Sequence, residues 1–447
     1  MAFKDIRRSR RWLSIEEIRL LALTLIMAVA LLAGNIYLAR MLPGGEWLFL
    51  RWSGARAFVV DQFTPVAEGL KMGRTMPNGL PTVLVEQKVE PYGTELAKRT
   101  QAVAYGRLAF SSEYAYVLND PFFIVLLYTP LALIRDFAVA RGIWILLAQI
   151  ALAGTALIAI NLSEWQPPRW LYVLLFIFGL FGYFSLNALV TGTPTIFLAF
   201  LYLCILVALR SHSDELAGGL LALVAYQWEV GGLFFLFILV FVFANRRWGV
   251  LAGLAMALFV LLVITSLLYS AWGLAYIRAV LSDWYRSANL TFSHILSNWF
   301  PNARFSLANV VFIVLGIVLF FEWLTSVHAH FRRVVWTASL SLAATPLIGF
   351  AIFPSNHVVL ILPFILIFAL AWERWQRRRA LSTIFILMII LLVPVGLYVR
   401  SVYIYDPLIT DLIAVLPPIT AILGLYWMRW WVLHSPRTWF DRFGDYG

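Results

Sequence analysis

Apolar runs of transmembrane length, one after another and parted by short charged turns, constrain this chain more than any other feature. A helix needs roughly 20 apolar residues to cross the hydrocarbon layer, and backbone polar groups can be satisfied there only within helices or closed barrels. Such runs lie near 20–42, 141–162, 169–188, 191–209, 215–228, 229–244, 249–270, 308–326, 334–352, 357–372, 381–399 and 409–428. They predict an all-α fold, a polytopic transmembrane helical bundle of about 12 spans. Of the 447 residues, 62% are hydrophobic and 13% charged, against roughly 25% charged in a soluble domain. A mean hydropathy of +0.84 excludes a soluble fold.

The formal charge of +11 has the pattern of membrane topology and not of a nucleic-acid surface. Its arginines sit in short clusters between apolar runs, where the positive-inside rule sets orientation. Lys4, Arg7, Arg8, Arg10 and Arg11 precede the first run. That run is longer than a signal core of roughly 7–15 residues and lacks a small-x-small cleavage site, so it reads as an uncleaved first helix. Cys204 is the only cysteine. It excludes an intrachain disulfide and reads as a small buried side chain.

Arg246-Arg247, Arg332-Arg333 and Arg374 with Arg377–Arg379 should share the cytoplasmic side with the N-terminus. An even number of crossings must then separate them. The short segment 121–134, with Pro121 and Pro130, breaks that parity if it crosses, so it is expected to be an outer interfacial or re-entrant helix. The expected organisation is a cytoplasmic N-terminus (1–19), a first transmembrane helix (20–42) and a large external loop (43–140) holding that interfacial helix. Transmembrane helices follow (141–270), then a second external loop (271–307), further transmembrane helices (308–428) and a cytoplasmic tail (429–447).

Helix centres are nearly free of charge, unlike those of ion-coupled transporters. Ionisable residues gather instead at the expected outer ends and loops, including Glu46, Asp120, Glu229, Arg278, Asp283, Arg286, His294, Arg304 and His357. That distribution suits a substrate with its lipid tail in the bilayer and its polar head outside. His294 and His357 are too isolated to suggest a metal site.

Several stretches resemble a known family. They are PGGEWLFLRWSGARAF (43–58), EPYGTELAKRTQAVAYGR (90–107), DPFFIVLLYTPLALIRDFAVARGIW (120–144) and the hairpin AGGLLALVAYQWEVGGLFFLFILVFVFANRRW (217–248). Across about residues 20–250 the layout is similar to GT-C membrane glycosyltransferases, and more narrowly to bacterial polyprenol-phosphate-mannose-dependent mannosyltransferase-like proteins. The resemblance implies transfer of a mannose-type hexose or a pentose from a polyprenyl-phosphate donor to a glycan, lipid or protein acceptor on the outer face of the cell membrane. It places a catalytic acid just after the first helix. Glu46 lies there, one residue before the family's usual aspartate position, which holds Trp47. Where the family has Lys-Pro at the outer hairpin turn, this chain has Gln227-Trp228, followed by Glu229. The family's Tyr-Pro becomes Asp120-Pro121.

The expected catalytic residues are Glu46 and Asp120, a carboxylate being a suitable base for an acceptor hydroxyl. The expected substrate-binding residues are Glu229, Gln227, Arg278, Arg286, Arg304 and His294. Among them Arg278 and Arg286 replace the missing lysine, since guanidinium groups bind phosphate bidentately. No particular cofactor is implied, and a divalent metal is compatible with this chemistry. The bilayer and the lipid-linked donor are the expected partners. The alternatives are a catalytically silent relative or scaffold, and a transporter of lipid-linked glycans.

Overall fold

The structure is a computed structural model that describes residues 15–60, 91–108, 116–164, 166–287, 290–301, 304–374 and 407–433, with a few single residues between 389 and 400. The described residues are helical, without strands; one isolated β-bridge joins Thr291 to Ala351. Seven helical stretches are long and apolar enough to cross a membrane: Ala22–Met41, Phe137–Leu162, Arg169–Thr191, Trp248–Leu268, Leu307–Ser326, Pro354–Trp372 and Leu408–Trp427. The chain is a multi-pass membrane protein.

The remaining expected spans differ for physical reasons. Run 191–209 becomes α9 (Thr195–Arg210, 16 residues), because Gly192 and Pro194 end one helix and start the next. Run 215–228 becomes the 11-residue α10 (Asp214–Val224), and run 229–244 the 17-residue α11 (Trp228–Ala244). Run 334–352 becomes α16 (Phe331–Ala344), which tightens into a 3-10 turn at Thr345–Leu347, where Pro346 removes a donor. Run 381–399 lies almost wholly outside the described residues. The segment 121–134 forms two short helices, α4 (Phe122–Leu127) and α5 (Thr129–Ala132), split where Pro130 interrupts the ladder.

The first helix, α1 (Ile15–Met41), is peripheral: only 6% of its apolar window is buried. It leans on α6 (Phe137–Leu162). Gly142 lets the two backbones approach, since a Cβ there would lie 2.9 Å from the Ile36 Cα. Asn35 and Gln149 pair their amides across the contact at 3.0 and 3.4 Å. Small residues and interhelical amides are what hold helices together in lipid, where burial of apolar surface alone does not.

The buried core lies among α6, α9, α11, α16 and α17 (Ile361–Arg374), with Trp336, Tyr202, Phe234, Phe237, Phe364 and Phe368 at its centre. A second cluster packs α2 (Glu46–Val59) against α3 (Thr94–Tyr105), α4 and α5 through Leu48, Leu50, Trp52, Leu96, Phe122 and Val125. Two further helices, α13 (Trp272–Ser287) and α14 (Phe292–Trp299), follow α12 (Trp248–Leu268). Phe292, Ile295 and Leu296 of α14 pack on Leu347, Ile352 and Val415.

Helices α10 and α12 are in backbone contact. A Cβ on Gly218 would sit 2.0 Å from the Val250 carbonyl oxygen, whereas one on the neighbouring Gly219 meets nothing within 4 Å. Gly218→Ala should therefore force the helices apart and lower stability by about 1–3 kcal/mol. Gly219→Ala should be neutral or stabilising by up to about 1 kcal/mol. Thermal unfolding of the two purified variants in the same detergent checks the difference.

Candidate active site

Helix α2 starts at Glu46, after Pro43-Gly44-Gly45. Both glycines adopt left-handed backbone (φ +114° and +83°), which glycine alone takes at little cost. The Gly45 N–H donates to the Val190 carbonyl at 2.8 Å. Arg141, in the first turns of α6, completes the corner. Its Nη1 donates to the Leu42 and Ala39 carbonyls at 2.8 and 3.3 Å, and its Nη2 to the Val190 and Pro43 carbonyls at 3.0 and 3.1 Å. One guanidinium thus satisfies the carbonyls that the end of α1 leaves without helical partners.

Glu46 sits beside this guanidinium and is 8% exposed. Burial pushes its carboxyl above the usual range; its own backbone N–H and Arg141 pull the other way without cancelling the rise. The next residue, Trp47, faces other groups. Its ring meets Tyr116 at 5.2 Å and Phe353 at 5.4 Å, both edge-on. Tyr116 carries a positive φ of 47°, and burial and the nearby Glu46 raise its phenol.

Farther along α2, Arg51 and Asp120 form a fully enclosed pair, each side chain 1% exposed. Arg51 Nε lies 2.7 Å from one carboxylate oxygen, Nη2 donates to the other at 3.0 Å, and Nη1 donates to the Trp47 carbonyl at 3.0 Å. Burial works against the Arg51 charge, but Asp120 more than reverses it and holds the guanidinium protonated. Tyr92 donates to the Asp120 carbonyl at 2.8 Å, and Asn119 donates to Asp283 of α13 at 2.7 Å.

Half-buried Glu229, in the first turn of α11, lies within electrostatic range of Asp283, Arg51 and Asp120. It borders a recess of about 10 Å³ whose other walls include Phe353, Asn356 and His357. That volume admits about one water. Asn356 accepts from Thr195 Oγ1 at 2.9 Å, while its Nδ2 has no partner. His357 is 2% exposed, and neither ring nitrogen makes a well-formed hydrogen bond, although the Ala414 backbone is close. Gln227, the N-cap residue of α11, also has a buried oxygen without a partner. Buried polar groups in native proteins are nearly always paired, so this cluster of unpaired ones marks a place built to meet something else.

Glu46, Asp120, Gln227 and Glu229 therefore share one end of the bundle. Trp47 and Phe353 join the Glu46 corner to the recess, and the Arg51–Asp120 pair joins both to the long loop. The second long segment also docks there. Ile352 N–H donates to the Leu290 carbonyl at 2.9 Å beside the Thr291–Ala351 bridge. Arg278 is exposed on α13; His294 is half-buried on α14, its backbone N–H held by Thr291 Oγ1 at 3.3 Å. The side chains of Arg286 and Arg304 lie outside the described residues. The cation set beside Glu46 is Arg141. Neither its role nor that of Arg51 is read from the sequence above, although an arginine within so apolar a helix as α6 is itself a signal. Among the described residues no three His, Cys, Asp or Glu side chains are placed to share a metal ion.

Residues 118–395 match the family model of glycosyltransferase family 87. The chain belongs to this family. No curated protein and no solved structure matches it. As a family 87 member the protein is a membrane glycosyltransferase. The matched stretch takes in Asp120, Glu229 and the recess with His357, and begins after the corner that holds Glu46.

Removing one partner of the enclosed pair leaves an uncompensated buried charge. Asp120→Leu should cost about 3–5 kcal/mol. The double variant Asp120→Leu with Arg51→Met should regain most of that loss. Thermal unfolding of single and double variants checks the coupling.

Proposed function

We propose that this glycosyltransferase moves a sugar, of mannose-type hexose or pentose class, from a polyprenyl-phosphate donor to an acceptor hydroxyl at the α2 end of the bundle. This end faces outward, and the N-terminus lies in the cytoplasm. The observation that carries the reading is Glu46, a buried carboxyl with a raised pKa directly after the first helix. A general base works best with a pKa near the working pH, and burial moves Glu46 in that direction. The carboxylate takes the acceptor's proton as its oxygen bonds to the sugar's anomeric carbon; the bond from that carbon to the phosphate breaks, and the lipid phosphate leaves as an anion.

Asp120 is occupied on both oxygens by Arg51 and acts by holding α2 in place. The free donors of Asn356 and His357, with Glu229 and Gln227, suit sugar hydroxyls or phosphate oxygens. Arg278, Arg286, Arg304 and His294 of the second long segment supply cations for the departing phosphate. The recess admits about one water as it stands, so substrate entry requires it to widen.

Glu46→Gln should abolish transfer of radiolabelled sugar from a polyprenyl-phosphate donor in reconstituted membranes. Its melting temperature should be unchanged or slightly higher, because the isosteric amide removes a carboxyl that burial disfavours as an anion. Full transfer by Glu46→Gln would remove Glu46 as the base. Donor binding without transfer by the unaltered protein would instead support a silent glycan-binding relative.

The pH dependence has a worked sign. The raised pKa keeps Glu46 protonated to higher pH than an ordinary glutamate, so activity should fall on acidification through a limb above the usual value of about 4.3. Stability should run the opposite way. The folded state holds this proton more tightly than the unfolded chain, so Glu46 contributes stability below the ordinary glutamate range and loses it as pH rises through its folded pKa. Rate and melting profiles across pH, compared with Glu46→Gln, check both limbs.

A further inference from the structure

The opposite end of the bundle carries a larger cavity, of about 840 Å³. Helices α9 and α11 connect the two ends. Thr195 and Glu229 belong to the active-site end, whereas Arg210 and Asn245, at the far termini, line this cavity. Its polar wall comes from three turns and includes Arg210, His212, Arg246, Arg247 and His328, with Trp248 beside them.

Some of this charge is committed to the fold. Arg247 pairs closely with Asp214 and donates to the Leu209 carbonyl at 2.9 Å. Arg210 pairs with Glu164 at 3.1 Å and lies over the Phe331 ring at 5.8 Å. Asn245 ties the turns together by donating to the Phe241 and Val327 carbonyls, each at 2.9 Å. Arg246, His212 and His328 have no such task; all three are exposed, with no partner among the described residues.

Two features make this more than a solvated basic edge. The first is conformational. Among the described residues only Tyr116, Glu164, His212 and Arg246 are non-glycine with positive φ, and the last three are at this end. His212 and Arg246 occupy the left-handed closing position of α9 and α11, where Ser213 N–H returns to the Ala208 carbonyl at 2.9 Å and Arg247 N–H to the Val242 carbonyl at 3.0 Å. Glycine is the usual residue there. Retaining an arginine and a histidine at such positions is a local cost of the kind that gathers at functional sites. The second is the helix ends. Helices α10, α12 and α16 all begin at this cavity, through Asp214, Trp248 and Phe331, and none has a side-chain cap. Their first N–H groups and dipoles favour an anion.

We propose that this cavity binds the phosphate headgroup of an anionic phospholipid from the adjoining leaflet. A lipid source is favoured over a soluble anion because exposed aromatic side chains stand beside the basic wall. Trp248 is 57% exposed and Phe243 54% exposed, with their rings 5.9 Å apart, where aromatic side chains favour the membrane interface. A zwitterionic choline headgroup would set its ammonium among the arginines and is disfavoured.

The test uses the full-length protein in a neutral detergent, titrated with dioctanoyl phosphatidylglycerol, dioctanoyl phosphatidylcholine or inorganic phosphate and followed by calorimetry. Phosphatidylglycerol should bind saturably, the other two at least about tenfold more weakly. Arg246→Gln with His328→Gln should weaken phosphatidylglycerol by about tenfold, the worth of one or two charged hydrogen bonds. His328→Gln alone serves if the double variant does not fold, and should weaken it in the same direction. Arg99→Gln, an exposed change on α3 at the other end, should leave binding unaltered. Equal binding of phosphatidylcholine, or undiminished binding by the variants, overturns the site. Equal binding of inorganic phosphate overturns the lipid as its occupant. None of these readouts depends on sugar transfer.

Discussion

Arg141 is the interaction on which the rest of the active-site end depends. An arginine within an apolar helix is costly unless its donors are met, and here they meet the carbonyls of Ala39, Leu42, Pro43 and Val190. Those carbonyls belong to the end of α1, the following turn and the end of α8 (Tyr183–Thr191). One side chain thereby fixes three chain segments relative to α6. It also sets the field around Glu46, which starts α2 under the same guanidinium. Arg141 is buried among those carbonyls, and Glu46 is buried beside it in the same corner.

The same economy recurs one and a half turns later. Arg51 and Asp120 satisfy one another inside an apolar cluster of Leu48, Leu50, Phe122 and Val125. A buried ion pair is weak evidence for stability, because desolvation offsets much of the attraction. Its sharper effect is on geometry, since one hydrogen bond and a second close charge contact fix α2 relative to the segment before α4. With Asn119 held by Asp283, α13 is tied to that segment as well. At this end Asp120 is thus neutralised by arginine and Asp283 is met by the Asn119 amide, whereas Glu46 and Glu229 have no ion-pair partner within bonding distance among the described residues.

The architecture was legible where it depends on local composition. Among the described residues the long uncharged runs became helices at nearly the expected positions, and Glu46 begins α2 shortly after the first one. What was not legible depends on contacts between distant residues. Arg51 and Asp120 are 69 positions apart, and Asn119 and Asp283 are 164 apart; no periodicity marks either pair. Helix length was misjudged where a run contains a turn. Pro346 and Gly192 are tolerated in an apolar stretch, and hydropathy alone reads across them. The cation beside Glu46 shows the same limit: Arg141 comes from the start of a span, and only the fold brings it to that corner.

The position of Glu46 also decides which groups an acid at this helix start can meet. Adjacent helical residues point about 100° apart, so an acid at 46 and an acid at 47 address different neighbours. Trp47 is turned toward Tyr116 and Phe353, and Phe353 lines the recess that holds Glu229, Asn356 and His357. Glu46 lies by Arg141 instead, and burial raises its pKa against the pull of that guanidinium. Two neighbouring residues of one helix start thus serve different parts of this end, Glu46 beside Arg141 and Trp47 in the aromatic contact with Phe353.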